Sequence, residues 1–550
     1  MRKYLVPAFV LALLFAPGAA ADPKLPGIFG DHMVLQRGRP VPVWGTADPG
    51  EAITVSVADQ KGTVEADKQG TWKVQLKPLQ AGGPLQLTVA GKTTVTLTDV
   101  LVGEVWVCSG QSNMAWPLRA ASHAKAETAE AAYPKIRLFS VPHQVAQVVQ
   151  DDCGGSWALC GPETVPGFSA VGYFFGRELH KELDVPVGLI HSSWGGTPAE
   201  AWTERSFLEK HNATLPILAR WLRTVEQHPE AMERYQEKLT EYKEVTLAKW
   251  EDAVKKAKAE GKQPPRKPRP PRRPTGPNHP HYPSGLYNAM VAPLAPFAIR
   301  GAIWYQGESN AGRAYQYRTL FPAMIRSWRQ AWGQGDFPFL YVQLANFLKV
   351  DREPTMDPWP ELREAQAMTL ELPNTAMACI IDVGEHNDIH PRNKQTVGQR
   401  LARAGLAVAY DRDIVYSGPT FDSMVIDGGK AIITFAHVGS GLVAKPFEDP
   451  VTPYGPTLQK RFGVDNPKEL RPDSEVLGFA IAGKDNTFVW AKAKLQDHQT
   501  VVVWSEEVAK PVAVRYAWAN NPICNLYNKE GLPAVPFRTD DVPGVTVDNR

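Results

Sequence analysis

Apolar and polar positions fall into three textures along the chain. From residue 22 to about 100 they alternate in short runs, such as Ala52-Ile53-Thr54-Val55-Ser56-Val57 and Leu85-Gln86-Leu87-Thr88-Val89, with Gly and Asp turns between. A period of two marks half-buried strands, and the spacing predicts an N-terminal β-sandwich-like domain over 22–100. From about 101 to 413 the runs become mostly apolar, at 102–108, 185–190, 298–305, 339–344 and 376–381. Helical periodicity separates them, at 173–183, 315–332, 361–370 and 395–410. Doubly buried strands alternating with amphipathic helices predict an α/β fold, a three-layer domain around a parallel sheet. Beyond 414 the β texture returns at 431–435, 487–491 and 500–504, and predicts a C-terminal β-sandwich-like domain.

Two segments break the pattern. Residues 205 to about 285 carry a Lys/Glu-rich helical stretch and then a Pro/Arg run from Gln263-Pro264-Pro265-Arg266 to Arg272-Arg273-Pro274. They are expected to form a solvated helical insertion and an extended linker. At the start, Arg2 and Lys3 precede an apolar stretch over 4–16, then Pro17-Gly18 and Ala19-Ala20-Ala21. This is the pattern of a secretory signal peptide over 1–21, cleaved near Ala21, which predicts a secreted or periplasmic protein without stable membrane insertion.

Composition adds little except by exclusion. A net charge of +2 over 550 residues gives no argument for a nucleic-acid partner. Of the five cysteines, Cys153 and Cys160 could close a small loop, Cys108 and Cys379 read as buried thiols, and Cys524 has no obvious partner. No Cys/His spacing resembles a zinc site, so no metal is expected. Oligomeric state is not legible.

The candidate chemistry lies where the apolar strands end. Four polar, Gly-containing loops follow such strands, at 109–114, 191–198, 306–310 and 382–391. Loops at the carboxyl ends of parallel strands converge on one cleft. A serine nucleophile there needs a base, an acid to orient it and donors for the oxyanion. Ser112 follows the first strand and is preferred to Ser193 and Ser309. His390 is the preferred base over His386. Asp388, Glu385 and Asp382 are the candidate acids. The N–H groups of Ser112, Gly195 and Gly196 and the side-chain amide of Gln306 or Asn310 are the candidate oxyanion donors. Asn113, Glu308, Arg313 and Arg392 are expected to bind substrate. Gly110-Gln111-Ser112-Asn113-Met114 lacks the second glycine of the G-x-S-x-G elbow, which argues against an α/β-hydrolase fold.

Gly110-Gln111-Ser112-Asn113-Met114, Trp194-Gly195-Gly196-Thr197-Pro198, Trp304-Tyr305-Gln306-Gly307-Glu308-Ser309-Asn310 and Asn387-Asp388-Ile389-His390-Pro391 together resemble the sialate O-acetylesterases, carbohydrate esterases of the SGNH-hydrolase class. Asp31-His32-Met33-Val34-Leu35-Gln36 near the start and Cys524-Asn525-Leu526-Tyr527-Asn528 near the end extend the resemblance over nearly the whole mature chain. It implies an SGNH-hydrolase-like domain and a serine esterase that removes acetyl groups from an O-acetylated carbohydrate without metal or cofactor. Ser112 would be the nucleophile and His390 the base, and Gln306 would stand where the class places an oxyanion-hole asparagine. The class usually has Asp three residues before its histidine; here that position is Asn387, and Asp388 lies two before. An acetylxylan or other polysaccharide deacetylase would use the same loops, and a glycan-binding protein with a relic cleft would bind without releasing acetate.

Overall fold

A parallel sheet carries the fold, with its strands in the spatial order Thr375–Ala378, Phe339–Val342, Gly301–Tyr305, Thr94–Gly110, Val187–Ser193 and Tyr133–Ser140. Trp157–Cys160 adds an antiparallel edge. The computed structural model describes residues 23–445 and 475–549, so the expected signal peptide lies outside the described residues. Along these strands alternate residues enter two different cores. Val105, Val107, Ala302, Trp304 and Phe339 pack with Tyr317, Phe321 and Trp328 of the helix Ala314–Trp332. Trp106, Cys108, Ile303, Tyr305 and Leu340 pack with Phe174 and Leu179 of Ala170–Leu183 and with Leu401 of Lys394–Tyr410. Helices therefore cover both faces, which is why these strands read as near-continuous apolar runs.

The strand Thr94–Gly110 belongs to two sheets. Its first half pairs antiparallel with Gly82–Ala90, and its second half pairs parallel with Val187–Ser193 and Gly301–Tyr305. The domain boundary expected near residue 100 thus falls within one continuous strand. Ile53, Val55 and Leu87 of the N-terminal region share a core with Val105 and Val107. At the joint, the buried Glu104 carboxylate accepts from Gln36 Nε2 at 3.0 Å, from Arg300 Nε at 2.8 Å and from Arg37.

The C-terminal region encloses a third core between a pair of antiparallel sheets, with Ile433, Val501 and Val503 from one and Phe479, Ile481 and Tyr516 from the other. This region docks on the helix Pro358–Met368. The fully buried Arg363 donates to the carbonyls of Leu344, Ala345, Ala519 and Asn520 at 2.7–2.9 Å.

Some details differ from expectation. Tyr133–Ser140 was not legible as a strand, because Pro134, Lys135 and Arg137 break its apolar pattern. Cys153 and Cys160 do not pair: all five cysteines are free, and these two pack into cores on opposite faces of the sheet. The insertion is less solvated than its composition suggests. Its first long helix, Leu215–Glu226, buries Ile217 and Trp221. The Pro/Arg run folds back along the following helices, accepting from Tyr242 Oη at Pro268 O (2.8 Å) and from Trp250 Nε1 at Pro265 O (2.9 Å).

Candidate active site

The strand Thr94–Gly110 ends in a turn that only glycine allows. Gly110 has φ +139°, and a Cβ there would lie 2.1 Å from Tyr305 O on the neighbouring strand. The chain then enters a four-residue helix, Ser112–Ala115, with Ser112 first. First-turn N–H groups have no partner within a helix, so this helix does not use the Ser112 N–H. Gly195 lies against it: a Cβ on Gly195 would sit 3.3 Å from Ser112 Cβ and 3.9 Å from Ser112 N. A larger residue would fill the space in front of the serine.

Ser112 Oγ meets His390 Nε2 at 2.9 Å. The ring at the serine is thus His390 rather than His386. Trp116 stacks on it, with centroids 5.0 Å apart and planes 17° from parallel, which fixes its orientation. Asp388 Oδ1 lies 3.3 Å from His390 Nδ1 and also accepts the His390 backbone N–H at 2.9 Å. The other two candidate acids face elsewhere. Asp382 is held by both Nη atoms of Arg400 at 2.6 and 2.8 Å, and Glu385 accepts from the Arg392 N–H at 2.9 Å.

Gln306 does not take the oxyanion role expected of it. It is fully buried; its Nε2 donates to Asn310 Oδ1 at 2.7 Å and Thr197 O at 3.3 Å, and its Oε1 accepts from Tyr317 Oη at 2.9 Å. Both ends of the amide are occupied beneath the cleft. The alternative amide, Asn310, is likewise bound, to Glu200 Oε2 and the Ala199 N–H, each at 2.9 Å. Gly196, with φ +74°, turns the 194–198 loop one residue beyond Gly195. Of the rival serines, Ser193 is buried with its Oγ 2.6 Å from His191 Nε2, and Ser309 donates its backbone N–H to Gln111 Oε1 at 3.3 Å.

Asn113 and Glu308, expected to touch substrate, instead form a support below the serine. Asn113 Nδ2 donates to Glu308 Oε1 at 2.6 Å and to Ile389 O at 3.0 Å, and its Oδ1 accepts from Lys394 Nζ. One side chain thus ties together the serine turn, the histidine loop and the 306–310 loop. Lys394 is fully buried, 5.3 Å from the Tyr305 ring. Burial pushes its amine down to about 7, against the pull of Glu308, Glu385 and Asp388, and burial pushes the Glu308 carboxyl up. Lys394 was missed in the sequence. A lysine opening a helix reads as solvated, although its position four residues after His390 was a usable signal. Arg313 is turned inward onto Glu200 Oε1 (2.5 Å) and Gln316 Oε1 (2.6 Å), whereas Arg392 is exposed on the histidine loop. Among the described residues no group of three His, Cys, Asp or Glu could hold a metal ion, and no helix is long and apolar enough to cross a membrane.

Known proteins resemble this chain along most of its length. Residues 277–407 match the family model described as carbohydrate esterase, sialic acid-specific acetylesterase. The chain is 32% identical to the sialate O-acetylesterase of Rattus norvegicus, over 94% of this chain and 95% of that one. It is 29% identical to the human sialate O-acetylesterase, over 91% and 90%. The crystal structure of a carbohydrate acetylesterase from Xanthomonas citri superposes with a TM-score of 0.74 at 38% identity, covering 94% of this chain and all of that one. By its sequence along nearly its whole length, the chain belongs to the sialate O-acetylesterase family.

Proposed function

We propose that the chain is a serine esterase that releases acetate from O-acetylated sugars, with O-acetylated sialic acids as its substrates. The contact of Ser112 Oγ with His390 Nε2 at 2.9 Å carries the proposal. Ser112 Oγ attacks the acetyl carbonyl carbon while His390 Nε2 takes its proton. Asp388 holds the Nδ1 side of the ring and stabilises the imidazolium. The carbonyl oxygen becomes an oxyanion, met by the N–H groups of Ser112 and Gly195. On collapse the bond to the sugar oxygen breaks, and His390 returns the proton to that oxygen. Water, activated by the same nitrogen, then hydrolyses the acetyl-Ser112 and frees acetate. Strands with helices on both faces, and a serine and a histidine brought from distant loops, favour the SGNH-hydrolase arrangement. The charged and apolar leader over residues 1–21 supports export, to the periplasm or beyond.

Ser112→Ala should abolish turnover of an aryl acetate, and normal turnover by that variant would overturn the mechanism. Acetate release from acetylated sialic acid and acetylated xylan, measured side by side, tests the substrate. Faster release from xylan would replace sialic acid by a polysaccharide.

A further inference from the structure

A cavity of about 520 Å³ lies between the 194–198 and 306–310 loops and the insertion. Its inner wall is Gly196 and Ser309. Gly196 is next to Gly195, which touches Ser112, and Ser309 is hydrogen-bonded to Gln111, the residue before Ser112. Its outer wall is Arg220 and Trp221 of the helix Leu215–Glu226. A space of this size, reached through the neighbours of Gly195 and Gln111, suits the body of a sugar whose acetyl group lies at Ser112.

The ionisable side chains lining the cavity are Glu200, Arg220, Arg313 and His281. Glu200 is almost fully buried; Arg313 binds its carboxylate at 2.5 Å, and Arg220 Nη2 stands 3.9 Å from it. Two guanidiniums thus face one carboxylate, and the lining is net positive. His281 has its pKa lowered, chiefly by burial, and adds no charge at neutral pH. Arg313 is fixed by Glu200 and Gln316 within the wall. Arg220 keeps 40% of its side chain exposed, next to the cavity. Its helix is anchored by Trp221, buried edge-on against Tyr282 with ring centroids 5.6 Å apart. A positive lining in a partly desolvated cavity favours an anion, and a guanidinium fork matches a carboxylate.

We propose that this cavity is the subsite for the carboxylate-bearing portion of an acidic O-acetylated sugar, and that Arg220, supplied by the insertion, recognises the carboxylate. The proposal rests on the esterase reading with Ser112 as nucleophile, and it makes Arg220 a specificity-determining residue. It also assigns the insertion a role at the site, one that neither Arg313 nor Arg392 fills.

The test compares an O-acetylated N-acetylneuraminic acid with its methyl ester, using the full chain. The acetyl group is the same in both, but the carboxylate charge is missing in the second. The unaltered protein should prefer the free acid by kcat/KM about 10-fold or more, through KM, and the preference should shrink with added salt. Arg220→Gln should remove that preference, and Arg220→Lys should keep some of it, because the charge remains and the fork is lost. Equal kcat/KM for the acid and its ester in the unaltered protein would overturn the proposal, as would a preference that survives Arg220→Gln. Either result leaves the esterase reading standing, since that reading fails only if Ser112→Ala remains active on an aryl acetate. A thermal melt of Arg220→Gln close to that of the unaltered protein shows that the comparison is made on a folded chain.

Discussion

At the scale of single residues, the histidine is better placed than its acid. His390 has the serine on Nε2 and Trp116 on its face, whereas Asp388 lies 3.3 Å from Nδ1, shares the same oxygen with a backbone N–H and is 36% exposed. A solvated acid orients a base less strongly than a buried one. Asp388→Asn should therefore lower kcat on an aryl acetate by about 100-fold, and His390→Ala by about 10,000-fold. An Asp388→Asn loss as deep as that of His390→Ala would show that the acid tightens onto the ring during turnover. A second histidine bears on stability. Burial, helped by neighbouring His143, pushes His191 down to about 4 from its ordinary 6.5. Between those values only the unfolded chain takes up the proton. The stability associated with neutral His191 is therefore whole above about pH 6.5 and is lost as pH falls toward 4. His191→Gln keeps a partner for Ser193 and should flatten the fall of Tm with acid over that window. An unchanged slope would refute the link.

At the scale of elements, the site is a meeting of loops held by buried amides. Asn113→Ala removes three hydrogen bonds at once and leaves Lys394 and Glu308 buried without their common partner. A loss of about 3–5 kcal/mol in unfolding free energy is expected, together with a fall in kcat, because the His390 loop loses its tether at Ile389 O. A variant with unchanged denaturant midpoint and kcat would remove Asn113 from this role. The same network marks the limit of what sequence made visible. Apolar runs ending in Gly-containing loops were enough to put Ser112, Gly195 and His390 in one cleft, since strand direction alone decides where such loops go. Side-chain orientation was not written there. Gln306 and Asn113 stand in the expected loops but point down into the protein. Helical period was legible over 234–259 of the insertion, but it did not show that Arg220 and Trp221, on the earlier helix Leu215–Glu226, line a cavity with Gly196 and Ser309.

At the scale of the whole molecule, the C-terminal region is a structural partner of the catalytic sheet. Arg363 divides its hydrogen bonds between Leu344 and Ala345 on one side and Ala519 and Asn520 on the other, and Glu361 accepts from Thr546 Oγ1 at 2.6 Å. A chain ending at residue 413 would leave a buried guanidinium and a buried carboxylate short of partners. It should be insoluble or melt without cooperativity; a soluble, active truncation would overturn this. The three regions of the sequence were legible because the middle one differs in period from the two β regions that flank it. Their connection was not, because nothing in an alternating run shows that a strand continues into a second sheet.

That connection governs which regions can move. The strand Thr94–Gly110 runs from the N-terminal sheet to the turn before Ser112 without a break, and hydrogen bonds pin both halves. Bending along it would break those hydrogen bonds, which couples the N-terminal region to the Ser112 turn. Widening of the cleft is expected instead at the insertion, whose Trp221 packs edge-on against Tyr282.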